Sequence, residues 1–274
     1  MRRLVYVPAT SKAEISLDGP KIWTQDGAAG IRGRSWARKL GYRSLLQANR
    51  PAREVSITVY ASRQAADLLR RAADADVTAR KPGTFVFDGR WRQGGYILEC
   101  EPTPYRSGVM LDLTLALVDG AWWTLVTNSF APDDGTAYEY LDYPHDYEYD
   151  FSAPIGGNSV ETGLLTPSPV FLRVYGPAVN PYVVVGRNRY QVNVSVPTGG
   201  YLVVDGRKKT ITVTTQGGTT TNAFQYGERG SGAGGGEYVF EDIPSGLQQI
   251  SWDGSFGFDL GWYDMEGEPP WSQS

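Results

Sequence analysis

The sequence has little of the chemistry on which reactive sites depend. Its 274 residues include one cysteine, one histidine and three methionines. The single cysteine, Cys100, excludes a disulfide within the chain, and its place at the end of an apolar strand indicates a small core residue. The only histidine, His145, has no cysteine or second histidine nearby and no identifiable serine or cysteine partner. The sequence therefore predicts no metal site, no cofactor and no enzyme.

Long apolar runs are also absent. No stretch approaches the roughly 20 apolar residues that span a bilayer. The first 17 residues carry charges without an unbroken apolar core, which is not the pattern of a signal peptide. We therefore expect that the protein is made in a cytoplasm and that it does not insert into a membrane. At 41% hydrophobic residues, the chain can still bury an ordinary globular core.

Glycine and tyrosine are plentiful, at 33 and 17 residues, between short β-branched and aromatic runs. This composition favours a mainly β chain, and the length suggests one large domain or two ordinary ones. Charge is divided unevenly. Residues 1–130 carry 19 Lys and Arg against 12 Asp and Glu, whereas residues 131–274 carry 7 against 18. The arginines are scattered through strands rather than clustered, which favours a solvated or subunit-facing surface over nucleic-acid binding.

Residues 53–102 have the pattern strand, helix, strand, tight turn, strand, and hold the one convincing helix. Ser62 can cap a helix over 62–75, which Lys81-Pro82-Gly83 follows. An apolar stripe at spacing i, i+3, i+4 and i+7 predicts the face packed on the sheet, formed by Ala65, Leu68, Leu69 and Ala72. Asp67 and Arg71 are spaced for an i,i+4 ion pair. The charged side, Arg63, Arg70 and Arg71, is a candidate subunit interface.

Other strands follow from alternation and turns. Residues 109–118 alternate most clearly, with Leu111, Leu113, Leu115 and Leu117 on one face. Residues 13–17 and 21–24 flank Asp18-Gly19-Pro20 and predict a hairpin. Residues 35–44 predict a strand with a charged face. The glycine-rich segment 25–33 lacks the strand, helix and Lys-Ser/Thr ending of a phosphate-binding loop, so it is expected to be an exposed loop.

Residues 129–157 differ from the rest of the chain because they are rich in tyrosine and acids. We therefore place a domain boundary in this segment. One interpretation is a linker with a strand at 147–151. The other is a sugar-binding or acidic catalytic loop. A glycoside hydrolase would need a carboxylate pair, and either Asp133 with Asp134 or Glu148 with Asp150 could supply one.

From residue 169 onward, short strands and turns follow one another at steady spacing, which is typical of a β-sandwich. The predicted strands include 224–226, 237–240 and 256–262. The segment 227–236, GERGSGAGGG, is too glycine-rich for regular structure and predicts an exposed loop. Residues 266–274 are expected to be frayed.

Two groups of motifs carry a resemblance to a known family. In the N-terminal half, a helix at 62–75 is followed by the strands GTFVFDG, GGYILECEP and VMLDLTLALV. In the C-terminal half, PSPVFLRVYGPAVNP at 167–181 precedes GGYLVVDGRKKTI at 199–211 and IPSGLQQISW at 243–252. Their order resembles the distal tail proteins of long, non-contractile-tailed bacteriophages. The loop 227–236 and the Tyr-rich segment 137–151 are departures from that pattern.

The resemblance implies a domain order and a structural role. It implies an N-terminal β-barrel-like domain with one α-helix at 1–130 and a galectin-like β-sandwich at 161–267. The composition of the chain adds a Tyr/acid-rich linker at 131–160 and a flexible tail at 268–274. Such proteins form a homohexameric ring at the virion tail tip, assembled in the host cytoplasm. The ring joins the tail tube protein to the tip or receptor-binding protein, and DNA passes through its channel without specific binding. A carbohydrate-binding module that attaches to host-surface glycans is the alternative.

Overall fold

A computed structural model of the chain describes residues 4–25, 30–33, 36–132 and 158–270. Within these ranges the chain is mainly β with one α-helix, which confirms the predicted fold class. No helix in the described ranges is long and apolar enough to cross a membrane. His145, both candidate carboxylate pairs and the predicted strand at 147–151 lie outside the described residues, as does most of the expected linker.

The described residues form two compact units. The first takes the chain up to Thr124 together with the residues from Met265 onward, and the second takes Leu125–Asp264. The elements of the first unit are β1 (Leu4–Val7), β2 (Ile15–Ser16), β3 (Ile22–Thr24), β4 (Ala37–Leu40), β5 (Leu45–Asn49), β6 (Arg53–Ala61), α1 (Arg63–Ala79), β7 (Gly83–Phe87), β8 (Trp91–Tyr105), β9 (Gly108–Leu117) and the start of β10 (Trp122–Phe130).

The first unit is a strongly curved antiparallel sheet. Its strands are paired in the order β2-β1-β7-β8-β9-β6-β3. The end strands β2 and β3 are consecutive in the chain and joined by residues 17–21, so the sheet curls back on itself like a barrel. The predicted hairpin between them is wrong. Within the described ranges β2 pairs with β1 and β3 pairs with β6, which leaves an open seam.

The core of the first unit lies inside this curved sheet. The alternation of β9 is confirmed, because all four of its predicted core leucines are at most 2% exposed: Leu111, Leu113, Leu115 and Leu117. They share one buried cluster with Ile57 and Val59 of β6 and with Phe85 and Phe87 of β7. Burying a leucine side chain contributes about 1.5–3 kcal/mol, so this face decides the pairing of β9 with its neighbours.

The second unit completes β10 and adds twelve strands. They are β11 (Asn158–Glu161), β12 (Ser168–Tyr175), β13 (Ala178–Val179), β14 (Tyr182–Val185), β15 (Asn188–Gln191), β16 (Ser195–Val196), β17 (Tyr201–Asp205), β18 (Thr210–Thr214), β19 (Thr220–Asn222), β20 (Asp242–Ile243), β21 (Leu247–Ser251) and β22 (Phe258–Glu266), the last of which ends beyond the unit.

Two sheets of the second unit share one core. One has the order β19-β18-β17-β12-β22 and the other β11-β21-β14-β15. Apolar side chains of both face the same buried cluster, including Leu172 and Val204 from the first and Val183 and Ile250 from the second. This is the predicted β-sandwich.

Three local expectations for the second half are wrong or incomplete. Residues Phe224–Tyr226 form a 3-10 turn rather than a strand. Residues 237–240 end in a turn in which the Glu241 amide donates to the Tyr238 carbonyl. The chain end is also not frayed throughout, because the Gly33 amide donates to Glu268 Oε2 at 2.7 Å and Arg32 donates to the Pro269 carbonyl at 2.6 Å.

Candidate functional site

An exposed hairpin between β3 and β6 is the most unusual surface of the first unit. The sequence predicted one strand at 35–44, but the chain turns at 41–44, where the Gly41 amide donates to the Ser44 carbonyl. Strands β4 and β5 therefore pair with each other, and they form a two-stranded sheet of their own. All nine strand residues are exposed. The hairpin projects from the unit without a covering layer.

The end of this hairpin is apolar. We define the hairpin tip as its four large exposed apolar residues, whose exposed fractions are 65%, 93%, 59% and 60% for Leu40, Tyr42, Leu45 and Leu46. Residues 36–50 also carry four arginines and lysines and no acid. At the base, the Arg50 guanidinium lies 4.7 Å from the centre of the Trp36 ring. Isolated two-stranded hairpins are marginally stable in water, so contact with another surface would stabilise this one.

A groove lies at the open seam of the sheet, beside the start of α1. Its volume is about 680 Å³, and the apolar residues lining it include Ile15 of β2, Ile22 of β3, and Ala65 and Leu68 of α1. Leu68 is 55% exposed. This corrects the predicted helix stripe, which had Leu68 packed on the sheet. Leu68 instead forms part of the wall of an apolar groove.

The buried face of α1 runs through Leu69, Ala73 and Asp76, with Ala65 and Ala72 partly buried against the same core. The pattern shows that the helix is rotated from the predicted stripe, since its last buried position is an acid. An acidic residue gives no sequence signal for burial, because Asp is almost never fully buried unless it is paired.

Asp76 is fully buried and saturated with hydrogen bonds. Its Oδ2 accepts from the Tyr6 hydroxyl at 2.7 Å and the Ala9 amide at 2.8 Å, and its Oδ1 accepts from the Thr10 amide at 2.9 Å and the Thr10 hydroxyl at 2.7 Å. Burial raises the pKa of Asp76, but these hydrogen bonds outweigh it and hold the pKa below its ordinary value. The pKa of the Tyr6 hydroxyl is raised, mainly by its burial and secondly by its hydrogen bond to the Asp76 carboxylate. The carboxylate fixes α1 to the segment after β1.

The three arginines predicted as an interface are all exposed on α1. Arg70 lies 3.9 Å from Asp67 and 3.6 Å from Asp74, so Asp67 pairs with Arg70 rather than with Arg71 as predicted. Within the described residues, Arg63 and Arg71 form no ion pair. Of the three, these two arginines have charges that no acid among the described residues offsets by an ion pair.

The outward face of β6, β8 and β9 is acidic and aromatic. Glu101 and Asp112 are directly opposite on neighbouring strands, and Glu99 lies opposite Thr114, whose hydroxyl donates to it at 2.7 Å. Like charges in opposite positions destabilise a sheet, so this arrangement is not one that stability favours. On the same face, the Trp23 and Tyr60 rings stack 4.3 Å apart.

A polar cluster occupies the outward face of the second unit. Asp259 of β22 accepts from the Ser129 hydroxyl at 2.7 Å and from the Tyr175 hydroxyl at 2.6 Å, and lies 4.0 Å from Arg173. The Arg173 guanidinium lies 5.4 Å from the centre of the Tyr201 ring. A sugar would contact these hydroxyls, the Asp259 carboxylate and the face of the Tyr201 ring. All of these groups already contact other side chains of the cluster.

The glycine-rich loop 227–236 contains no strand, as expected, but it is tied to its surroundings. The Gly234 amide donates to Glu241 at 2.7 Å, and Glu228 accepts from Asn193 at 3.0 Å. No group of three or more His, Cys, Asp or Glu that could hold a metal occurs in the part of the chain that the structure describes. Neither region offers a catalytic arrangement.

No family model and no curated protein matches the sequence. Several solved structures do match the fold. One is the Dit (gp 19.1) protein of phage SPP1, described as a paradigm of the hub adsorption apparatus in phages that infect Gram-positive bacteria. Its TM-score is 0.53 at 10% identity, with 96% of this chain and 99% of that chain covered.

Two more are chains of the phage p2 baseplate in its activated conformation. The one with Sr has a TM-score of 0.60 at 11% identity, with 98% of this chain and 100% of that one covered. The one with Ca has a TM-score of 0.57 at 12% identity, with 96% and 98% covered. At these identities the likeness establishes the fold. The chain has the fold of phage distal tail and baseplate proteins, which confirms the resemblance noted in its sequence.

Proposed function

We propose that the chain is a structural protein of the virion, which forms a homohexameric adaptor ring at the distal end of a long, non-contractile phage tail. The ring joins the tail tube protein to the tip or receptor-binding protein, and it assembles in the host cytoplasm without catalysing a reaction. The observation that carries this proposal is the extent of the likeness. It covers 96–98% of this chain and 98–100% of the matched chains, so both units take part.

The exposed hairpin supports self-association. Its tip presents four large apolar side chains to solvent, and none of the described residues forms a layer over it. Surfaces of this kind mark sites of protein–protein contact. In the proposed ring, residues 1–130 form the ring, 131–160 link the two domains, the sandwich at 161–267 projects outward and 268–274 form a tail.

The basic side of α1 is a second proposed contact. Arg63 and Arg71 face solvent without an acidic partner in the described residues, whereas the Arg70 charge is partly offset by Asp67 and Asp74. Reversal of charge at Arg71 should therefore weaken the ring more than reversal at Arg70. Both changes should leave the monomer folded, because both side chains are exposed.

The acidic sheet face suits a channel that DNA crosses. Glu99, Glu101 and Asp112 are exposed on neighbouring strands, and with them facing the channel, phosphates would be repelled rather than held. DNA would then pass without specific binding. Strong, salt-dependent DNA binding would contradict this assignment, since such binding requires cations positioned on phosphates.

Carbohydrate binding is the weaker candidate. The outward face of the second unit does hold aromatic and polar groups, but Asp259 is already bonded to Tyr175 and Ser129. A glycan-array screen of the purified protein decides this alternative, and specific binding would favour it.

The mass of the purified assembly tests the adaptor proposal. Light scattering should give six times the chain mass, and negative-stain electron microscopy should show rings with six-fold symmetry. Mixing with the tail tube protein or the tip protein should then give a larger complex. A monomer at every accessible concentration, without association with either partner, would contradict the proposal.

A further inference from the structure

The two arms of the exposed hairpin are joined at their base. We define the hairpin root as residues 31–33, which precede β4, together with Arg53, the first residue of β6. The Arg53 guanidinium donates to the Ile31 carbonyl at 2.7 Å and to the Arg32 carbonyl at 3.4 Å. The chain before the hairpin is therefore tied to the chain after it, at the end away from the hairpin tip.

The hairpin root is packed against the first unit. Ile31 is fully buried and belongs to the same apolar cluster as Ile57 of β6. Gly30, directly before the root, has no room for a Cβ because the Ser56 carbonyl of β6 occupies that space. The root is thus buried in part, whereas both strands of the hairpin that it carries are exposed.

Residues near the end of the chain also hold the root. Glu268 Oε2 accepts from the Gly33 amide at 2.7 Å, and the Pro269 carbonyl accepts from the Arg32 side chain at 2.6 Å. Pro269 is itself buried. Burial lowers the pKa of the Arg53 guanidinium, and the negative charge of Glu268 opposes that shift. A segment that follows β22 therefore binds the root by hydrogen bonds, packing and charge.

We propose that residues 267–270 are a strap that keeps the hairpin root closed and so couples the end of the chain to the hairpin. The bond between Glu268 and the Gly33 amide is exposed. Segments with exposed hydrogen bonds and few buried apolar side chains open locally while the core stays folded. Release of the strap should therefore free the root without unfolding the sheet.

A freed root should also loosen the hairpin. Among the described residues, β4 and β5 pair with each other and with no other strand. A two-stranded hairpin is marginally stable alone, so closure of its two ends by the root adds to its stability. The strap thus raises the fraction of chains in which the hairpin is formed.

Labelling of a buried thiol measures how often the root opens. Ile31→Cys, in a Cys100→Ser background, puts the thiol at a position that is 0% exposed, so an alkylating reagent reaches it when the root opens. Glu268→Ala removes the acceptor of the Gly33 amide and should speed this labelling about tenfold, the lower end for a hydrogen bond to a charged group because this bond is exposed. Glu268→Gln keeps an acceptor without the charge and should stay within about threefold of the unchanged strap.

Two controls separate release of the strap from loss of the fold. Glu266→Ala removes an exposed carboxylate two residues before Glu268, and it should leave the labelling rate at Ile31→Cys unchanged. Leu115→Cys, in the same Cys100→Ser background, is at a core position of β9 that is 0% exposed and reports opening of the sheet. Glu268→Ala should not speed labelling there.

Hydrogen–deuterium exchange of residues 36–49 measures the hairpin itself. Exchange there should rise about threefold in Glu268→Ala, less than the labelling of the root because β4 and β5 keep their own ladder, and should not change in Glu266→Ala. An unchanged labelling rate at Ile31→Cys in Glu268→Ala, an equal acceleration at Leu115→Cys, or unchanged exchange in the hairpin would each overturn the strap. None of these outcomes bears on the adaptor ring, because the strap, the root and the hairpin belong to one unit of one chain.

Discussion

Asp76 allows the sharpest prediction about stability, because one side chain receives four hydrogen bonds from a segment about 70 residues away in sequence. We predict that Asp76→Ala strongly destabilises the first unit. The change removes the acceptor for the Tyr6 hydroxyl, for the Ala9 and Thr10 amides, and for the Thr10 hydroxyl. It also leaves a small void at the end of the helix.

The size of this loss in stability depends on which of the four donors can form a hydrogen bond with water instead. Ala9 and Thr10 are exposed enough to regain hydrogen bonds with solvent, whereas Tyr6 is 0% exposed and its hydroxyl is left without an acceptor. A buried unsatisfied group costs about 1–3 kcal/mol, and hydrogen bonds to a charged group are worth about 1.5–3 kcal/mol each before water replaces them. We expect a loss of about 3 kcal/mol for Asp76→Ala and about 1–2 kcal/mol for Tyr6→Phe.

Urea unfolding of the two single variants and the double variant measures the coupling between the residues. At equal protein concentration, the double variant should lose about 1–2 kcal/mol less than the sum of the single losses, since both remove the same bond. Additive losses would refute the reasoning, because they would mean that the Tyr6–Asp76 hydrogen bond contributes nothing.

The same carboxylate has a pH signature. Because the pKa of Asp76 is lower in the folded than in the unfolded chain, its ionisation contributes stability that is complete above the unfolded value of about 3.9. That contribution is lost as the pH falls through the folded pKa. The free-energy difference between the unchanged protein and Asp76→Ala should therefore be constant from pH 5 to 7 and shrink below pH 4. A difference that grows on acidification would contradict this.

Two further changes test local geometry in the first unit by urea unfolding. Ser62→Ala removes the helix cap, whose hydroxyl accepts from the Ala65 amide at 3.3 Å, and should lower the free energy of unfolding by about 1 kcal/mol. An unchanged urea midpoint would show that this cap does not stabilise the helix. Gly95→Ala would place a Cβ 2.4 Å from the Ala116 carbonyl oxygen and should cost about 1–3 kcal/mol. Gly217→Ala, where the nearest atom is 3.9 Å away, is the neutral control, and an equal loss at both glycines would contradict the argument.

The parts of the fold that could be predicted are those with a local physical cause. The alternation in β9 places its leucines on one face whatever the strand pairs with, because the backbone of a strand has a period of two. The cap at Ser62 and the end of the helix before Pro82 are likewise local. These features set the helix and most strand positions from sequence alone.

Pairing and burial partners could not be predicted in the same way. Ile15 and Ile22 flank a strong turn signal, yet their strands pair with β1 and β6, which are distant in the sequence, and not with each other. The buried role of Asp76 depends on Tyr6 and Thr10, which no local pattern connects to it. An Asp on a helix is ordinarily at the surface, so the rotation of α1 and the exposure of Leu68 followed from a distant contact.

The hairpin tip was missed for a related reason. Residues 35–44 have the composition of a strand, and their pattern does not indicate that the chain turns at Gly41 and pairs with the following residues. Apolar residues in a strand ordinarily indicate burial in the same chain. Here Leu45 and Leu46 are exposed, so the composition of the segment did not indicate burial in this chain.

The location of the charges in residues 1–130, rather than their sum, bears on whether this part of the chain presents a surface that binds DNA. Residues 1–130 are basic overall, yet several of their arginines lie over aromatic rings: Arg32 over Phe87, Arg50 over Trp36, Arg90 over Trp91 and Arg92 over Trp123, at 4.7–5.8 Å. Guanidinium groups in such contacts stabilise the unit and are less available to phosphates. The exposed face of β8 and β9 carries Glu99, Glu101 and Asp112 as well as Arg92. In the ring proposed above, the arginines held over aromatic rings would stabilise the protein, and the acidic sheet face would be the surface that repels DNA.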